Sequence, residues 1–478
     1  MKLFATIIAL AGVFAASAQA HQETNISKWQ FSQTGAEWKA VTVPHDWAIS
    51  GPFDKKWDLQ VVAIKENGED KPTEHSGRSG SLPWIGKGFY KTTVHIAEGT
   101  AYAELKFDGA MAAPEVSVNG KKAGHWAYGY NAFRVDITPY IHTGDNLIEV
   151  VLENEEESNR WYPGGGIYRP VTLITHANKS RLDLWGLQMQ TLSIDGGRAL
   201  IDIRHGGKDI PADAMLKVTV TDKGGKVVAN ASSPADGMGG FHTQVSIADP
   251  QLWSPETPYL YDVKLSLVAD GKTLDVQHQK LGVRTVKFSA EGGFQLNSVT
   301  RKIKGVCLHH DLGPLGAAVN KAAIIRQIRI MKDMGADAIR TSHNMPSTMQ
   351  MEVCDSMGMM VMAESFDGWK DPKVRNGYGK LWDEWWQKDI TNLILNHRNH
   401  PSIIMWSVGN EIPEQWKPEG VERYKHLTAL CHRLDPSRQV TCGMDQPDGT
   451  MWAGFAQVAD VPGYNYRVHK YEEMMKRL

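Results

Sequence analysis

The chain has 478 residues, 42% of them hydrophobic, and a formal net charge of -2. That length accommodates about three domains of ~100–200 residues each, and the near-neutral balance excludes a broad basic face for nucleic acid. Sixteen tryptophans and fourteen tyrosines supply aromatic faces that suit either cores or the apolar faces of sugar rings.

Residues 1–20 read as a secretory leader. Lys2 gives the positive start, Leu3 to Ala16 the apolar run, and Ala18-Gln19-Ala20 the small-residue cleavage site. The mature protein is therefore expected to begin at His21 and to be periplasmic or secreted. No later apolar run is long enough to span a bilayer. The four cysteines (Cys307, Cys354, Cys431 and Cys442) lack CxxC spacing, so they read as buried thiols rather than a metal or redox site.

From His21 to about Thr175 the pattern is short alternating strands between Gly, Pro and Asp turns. Tyr90 to Ile96, Ala103 to Phe107, Glu115 to Val118 and Leu147 to Leu152 are examples, and Asn119-Gly120 predicts a hairpin turn. This predicts a β-sandwich over residues 21–178. Ala199 to Arg204, Met215 to Thr221, Leu260 to Leu267 and Thr273 to Leu281 predict a second, immunoglobulin-like sandwich over residues 179–288.

From residue 289 to 478 strands alternate with helices. Lys302 to Leu308, Ala338 to Thr341, Met359 to Ala363, Ile403 to Ser407, Gln439 to Gly443 and Val461 to Tyr464 are the predicted strands. Asn320 caps a helix closed by Gly335, Ser347 caps one stopped at Gly358, and Leu381 to His397 is a third. Its Trp382, Trp385 and Trp386 stripe reads as helix packing. Six strand–helix units suit a (β/α)₈ TIM barrel left incomplete after about six strands.

Reactive residues of such a barrel gather where strands end. Here the ends carry His309-His310-Asp311, Arg340-Thr341-Ser342-His343-Asn344, Glu364-Ser365-Phe366-Asp367-Gly368-Trp369, Asn410-Glu411 and Tyr464-Asn465-Tyr466. The set is polar and aromatic, without phosphate-loop glycines or metal-ligand spacing, so neither cofactor nor metal is expected. It suits a neutral polyhydroxylated substrate. Glycoside hydrolysis needs a carboxylic acid at the leaving oxygen, and Glu411, presented by an apolar strand, fits that role. Asn410 beside it can donate to a sugar 2-hydroxyl.

Trp406-Ser407-Val408-Gly409-Asn410-Glu411 resembles the acid/base signature of the family 2 glycoside hydrolases. Arg160-Trp161-Tyr162-Pro163-Gly164-Gly165-Gly166-Ile167-Tyr168-Arg169 resembles a signature of that family's N-terminal, sugar-binding-like jelly-roll domain, and Arg340-Thr341-Ser342-His343-Asn344 resembles its second barrel strand end. The resemblance covers nearly all of the mature chain. It implies a retaining glycosidase, most similar to a bacterial exported β-galactosidase, acting on β-galactoside-containing oligo- or polysaccharides. By resemblance Glu411 is the acid/base, His309 and His343 bind sugar hydroxyls, and Arg340 orients carboxylates. Tyr466, with Tyr464 as the alternative, bonds the nucleophile. Trp369 is expected to wall the sugar site, with packing inside its loop as the alternative. Only one of His309 and His310 is expected to face the sugar, and Asn159 and Arg160 to reach the cleft from the first domain. Third-strand placement and the family pattern make Glu364 an ion-pair partner for a cation such as Arg340. The family's nucleophile belongs to a seventh strand, so the six-strand chain is expected to lack it and to be inactive alone. β-Glucuronidase and β-mannosidase are alternatives within the family, a non-catalytic carbohydrate-binding remnant is the alternative outside enzymes, and an oligomer is left open.

Overall fold

The computed structural model describes residues 20–58, 61–62, 68, 70–72, 74–75 and 80–478. The leader expected over residues 1–20 lies outside them apart from Ala20. No helix among the described residues is long and apolar enough to cross a membrane.

Alternation builds the first unit. Along Gly144–Asn154 the side chains of Asn146, Ile148, Val150, Leu152 and Asn154 are buried while those between face outward or lie at the margin. This strand pairs antiparallel with Gly86–Ile96 in a six-stranded sheet. A four-stranded sheet of Gln22–Asn25, Val171–His176, Tyr102–Phe107 and Phe133–Asp136 closes the sandwich. Phe31, Tyr90, Leu105, Phe107, Phe133 and Leu173 share the core between them. Asn119 and Gly120 both have positive φ, +50° and +76°, which a type I′ hairpin turn requires.

Two four-stranded antiparallel sheets form the second unit around Ile201, Val218, Val245 and Leu265. A small sheet of Val286–Ser289, Gly293–Leu296 and Val299–Thr300 follows. Its strands are too short to show as alternation in the sequence.

Six parallel strands come next, in sequential order: Gly305–Leu308, Ala338–Thr341, Met360–Glu364, Ile403–Asn410, Gln439–Met444 and Gly463–Tyr464. With their helices they make an incomplete (β/α)₈ barrel. The fourth strand is buried along its whole length, as a central parallel strand between layers must be. Asn320 accepts from Ala323 N at 3.0 Å and caps helix Lys321–Asp333. Ser347 accepts from Gln350 N at 3.2 Å and caps Thr348–Met357, which ends at Gly358 with φ +72°. Helix Pro418–Leu434 is unmarked in the pattern above; it opens with Pro at its first position. The expectation of four buried thiols fails at one place. Cys354, Cys431 and Cys442 are buried, but Cys307 is exposed, because its strand is the outermost of the sheet and is covered on one side only.

Buried polar contacts fasten the sandwich to the barrel. Asp389, on helix Trp382–His397, accepts from Trp126 Nε1 (2.9 Å) and Asn131 Nδ2 (2.8 Å) of the sandwich and from Tyr378 OH (2.6 Å). Among the described residues no cation forms an ion pair with it, and burial pushes its carboxyl up to about 7 against those three hydrogen bonds and the more distant Lys388 charge. The folded value lies above the unfolded one of about 4, so the folded chain holds the extra proton between the two. The stability this residue contributes is fully present below pH ~4 and is lost as pH rises toward 7. Asp389→Asn removes the titration while keeping the shape. Denaturant unfolding at several pH values should show the variant gaining on the wild type between about pH 5 and 7.5. A difference that stays constant across that range would show that the Asp389 carboxyl does not titrate there.

Candidate active site

The strand ends meet around a buried charge. Glu364, at the end of the third barrel strand, is 0% exposed. Its Oε2 accepts from Arg340 Nε and Ser407 Oγ, each at 2.6 Å, and its Oε1 lies 2.6 Å from His343 Nδ1. Burial opposes ionisation, but Arg340 together with the His343 and Ser407 bonds holds the carboxyl below its ordinary range. Glu364 is thus ionised and fully engaged.

A second carboxylate is clamped nearer the opening. Asp367 binds Arg160 Nε (2.6 Å) and Nη2 (2.5 Å), and Lys373 Nζ (3.0 Å). These cations overcome the burial that would raise its pKa and hold it well below the usual range. Arg160 comes from the sandwich, 207 residues earlier in the chain. The loop carrying it is pressed onto the barrel. A Cβ on Gly164 would overlap Ala317, and one on Gly165 would lie 2.5 Å from the Trp47 ring. The glycine run therefore answers to close backbone approach. Arg169, which ends the run, is 1% exposed and donates to four carbonyls, those of Asp108, Tyr130, Met345 and Pro346.

Asn410 joins the two clamps. Its Oδ1 accepts from Arg340 Nη2 (2.9 Å) and Asn465 Nδ2 (3.1 Å), while its Nδ2 donates to Asp367 Oδ1 (3.0 Å). Its carbonyl accepts from Lys373 Nζ at 2.7 Å. Next along, the chain turns with φ +44° at Glu411, whose N–H donates to Gly443 O at 2.7 Å. The Glu411 side chain is only partly buried, and its Oε1 accepts from Asn465 Nδ2 at 2.9 Å. Tyr466 is 76% exposed. Its hydroxyl engages Glu411, and that bond pushes the phenol pKa up.

The two adjacent histidines part company. His309 is exposed, its ring 5.0 Å from Trp161 and 5.8 Å from His343. His310 turns to the sandwich, where its Nε2 donates to Pro163 O at 3.1 Å between the rings of Tyr130 and Tyr168. Burial pushes it down to about 3, so it stays neutral. The structure thus brings together Glu411, Asn410, His309, Arg340, His343 and Tyr466. Trp369 is the exception. It is 0% exposed, its Nε1 donates to Val408 O at 2.8 Å, and its ring packs against Trp382, Tyr424 and Phe455. It presents no face to a sugar and belongs to the core behind the site.

Trp161, Asp367, Lys373 and Asn465 stand at the cleft without having been singled out. Asp367 and Asn465 lie on polar strand ends and Trp161 in the glycine-rich signature, so each carried a signal. Lys373 carried none, since only folding of its loop brings it over Asn410. Among the described residues, these side chains form no group of three close metal-ligating atoms.

Three family descriptions match the chain in order: "Glycosyl hydrolases family 2, sugar binding domain" over residues 7–177, "Glycosyl hydrolases family 2" over 186–284, and "Glycosyl hydrolases family 2, TIM barrel domain" over 289–477. A β-galactosidase of Bacteroides ovatus is 34% identical over 472 residues, covering 90% of this chain and 53% of the relative. A protein named as a putative β-glucuronidase of Formosa agariphila is 35% identical over 419 residues, covering 86% of this chain and 38% of the relative. A crystal structure of a family 2 glycosyl hydrolase from Bacteroides cellulosilyticus superposes with a TM-score of 0.85 at 32% identity, over 95% of this chain and 60% of that one. The chain spans about half the length, or less, of these two curated relatives.

Replacing Glu364 tests the buried charge directly. Glu364→Gln leaves the Arg340 guanidinium enclosed without its counter-charge, which should cost about 3–5 kcal/mol of stability in urea unfolding. A loss below about 1 kcal/mol would show that the pair is solvated or replaceable.

Proposed function

Because the chain belongs to the family 2 glycoside hydrolases, we propose that its cleft hydrolyses terminal β-galactosides by a retaining, two-carboxylate route with Glu411 as general acid/base. One contrast carries this reading. Glu364 and Asp367 are each ion-paired to cations, whereas the direct hydrogen-bond partners of the Glu411 carboxyl among the described residues are the neutral Asn465 amide and the Tyr466 hydroxyl. Neutral donors orient the Glu411 carboxyl and leave it open to the cleft, as a group that exchanges a proton with substrate must be.

In the proposed sequence Glu411 protonates the departing oxygen while the carboxylate that the family resemblance assigns to a seventh barrel strand, beyond the six of this sheet, attacks the anomeric carbon. Glu411 then takes a proton from the water that releases the sugar. Glu364 is enclosed and Asp367 is doubly paired, so neither serves as that nucleophile. One amide hydrogen of Asn410 is spent on Asp367, and its other is available to a sugar 2-hydroxyl. His309, His343 and Trp161 supply a polar and aromatic wall for the remaining hydroxyls. The leader read over residues 1–20 supports a substrate met in the periplasm or outside the cell.

The neutral sugar is preferred over its uronic acid on charge grounds. Among the described residues named at the cleft, Arg160 and Lys373 are committed to Asp367 and Arg340 to Glu364. A glucuronide carboxylate would need a dedicated cationic partner. In enzyme expressed from its native gene, nitrophenyl β-galactoside should be cleaved faster than the β-glucuronide. The reverse order would assign the cleft to uronic acids and return Arg160 or Lys373 to substrate binding.

The role of Glu411 has its own test. Glu411→Gln should lower hydrolysis of galactosides with poor leaving groups by about 10²–10⁴-fold, with a far smaller loss in glycosylation by activated aryl galactosides, which depart without protonation. Azide should restore turnover of the activated substrates by attacking the glycosyl-enzyme without base assistance. Equal losses for both substrates with no azide rescue would remove Glu411 from the role.

A further inference from the structure

Far from the cleft, where the first sandwich meets the second, three side chains converge. Strand Gln22–Asn25 pairs antiparallel with Val171–His176, with Gln22 opposite Thr175. The same register sets His21 against His176, and their rings lie 4.6 Å apart, edge to face. Asp275, from strand Lys272–Leu281 of the immunoglobulin-like unit, closes the triangle from the other side. We propose that His21, His176 and Asp275 form a binding site for a divalent transition metal, with zinc as the best match to two imidazoles and a carboxylate, that fastens the two sandwiches together.

The spacing suits an ion. Asp275 Oδ1 is 3.0 Å from His21 Nδ1 and 3.5 Å from His176 Nδ1. Zinc bonds of ~2.0–2.1 Å in a tetrahedron place neighbouring ligand atoms about 3.3 Å apart, between those two values. Ligand atoms of all three residues fall within 4.8 Å of one another. His176 is 3% exposed, and its Nδ1 makes no hydrogen bond of good geometry. That enclosed nitrogen has only the long contact with Asp275 Oδ1, and a metal is a partner that would satisfy it.

The surroundings also suit one. Asp275 is 0% exposed, and its oxygens are fixed by the backbone N–H groups of Leu182 and Val276, each at 2.8 Å. Glu23 Oε1 lies 3.1 Å from His21 Nε2. A carboxylate on the far nitrogen is the usual outer partner of a metal-binding histidine, and it leaves the Nδ1 lone pair turned inward.

Calorimetric titration of zinc into the metal-free full chain at about pH 8 tests this. One zinc per chain is expected to bind and to raise the thermal unfolding midpoint. His176→Gln should weaken binding by at least about 100-fold, and Glu23→Gln, an exposed outer partner that leaves the fold intact, by about tenfold. Absence of stoichiometric zinc binding would overturn the proposal, as would unchanged affinity in folded His176→Gln. Should that variant fail to fold, unchanged affinity in Glu23→Gln is the overturning result.

Discussion

A carboxylate that is wholly enclosed has to be neutralised, and the candidate site is organised around meeting that demand at Glu364. The idealised cost of removing a lone anion from water far exceeds what a domain has in reserve. Its oxygens are therefore met from both sides, by Arg340 and His343 of the second strand end and by Ser407 of the fourth strand. Three elements of the sheet are locked in register by one charge. The Arg340 Nη2 that pairs with Glu364 also holds Asn410. Asn410 immediately precedes Glu411 in the chain, so the placement of this half-buried carboxyl is inherited from the burial of another.

The cleft is equally a product of the sandwich. Arg160 clamps Asp367, and the Trp161 ring stands against His309 and His343. Both lie in a loop seated by glycines whose missing side chains allow contact with Ala317 and Trp47. Without the sandwich, Asp367 would lose its bidentate partner and keep Lys373 as its cation beside the Asn410 amide. The barrel provides the carboxyls, while the sandwich fixes the charge state of one of them.

Much of this was legible in the sequence because it follows from local rules. Capping by Asn320 and Ser347, the Asn119-Gly120 turn and the gathering of polar residues at strand ends each depend on a few neighbouring residues. Glu364 as partner of Arg340 was legible too, from its third-strand placement together with the family pattern. What escaped depends on distant packing. Trp369 has the composition of a sugar platform, yet its indole N–H is taken by Val408 and its faces by three other rings. Lys373 and the exposure of Cys307 are likewise decided by how loops and sheet edges fall in space. The His21–His176 pairing was hidden because its two strands lie at opposite ends of the sandwich segment.

Arg169 sets an order on how the molecule comes into being. Two of its four carbonyl partners, Asp108 and Tyr130, precede it in the chain, whereas Met345 and Pro346 follow 176 and 177 residues later. Residues 21–178 by themselves therefore hold a guanidinium whose bonding is half complete, and it is completed only when the segment after the second barrel strand docks against it.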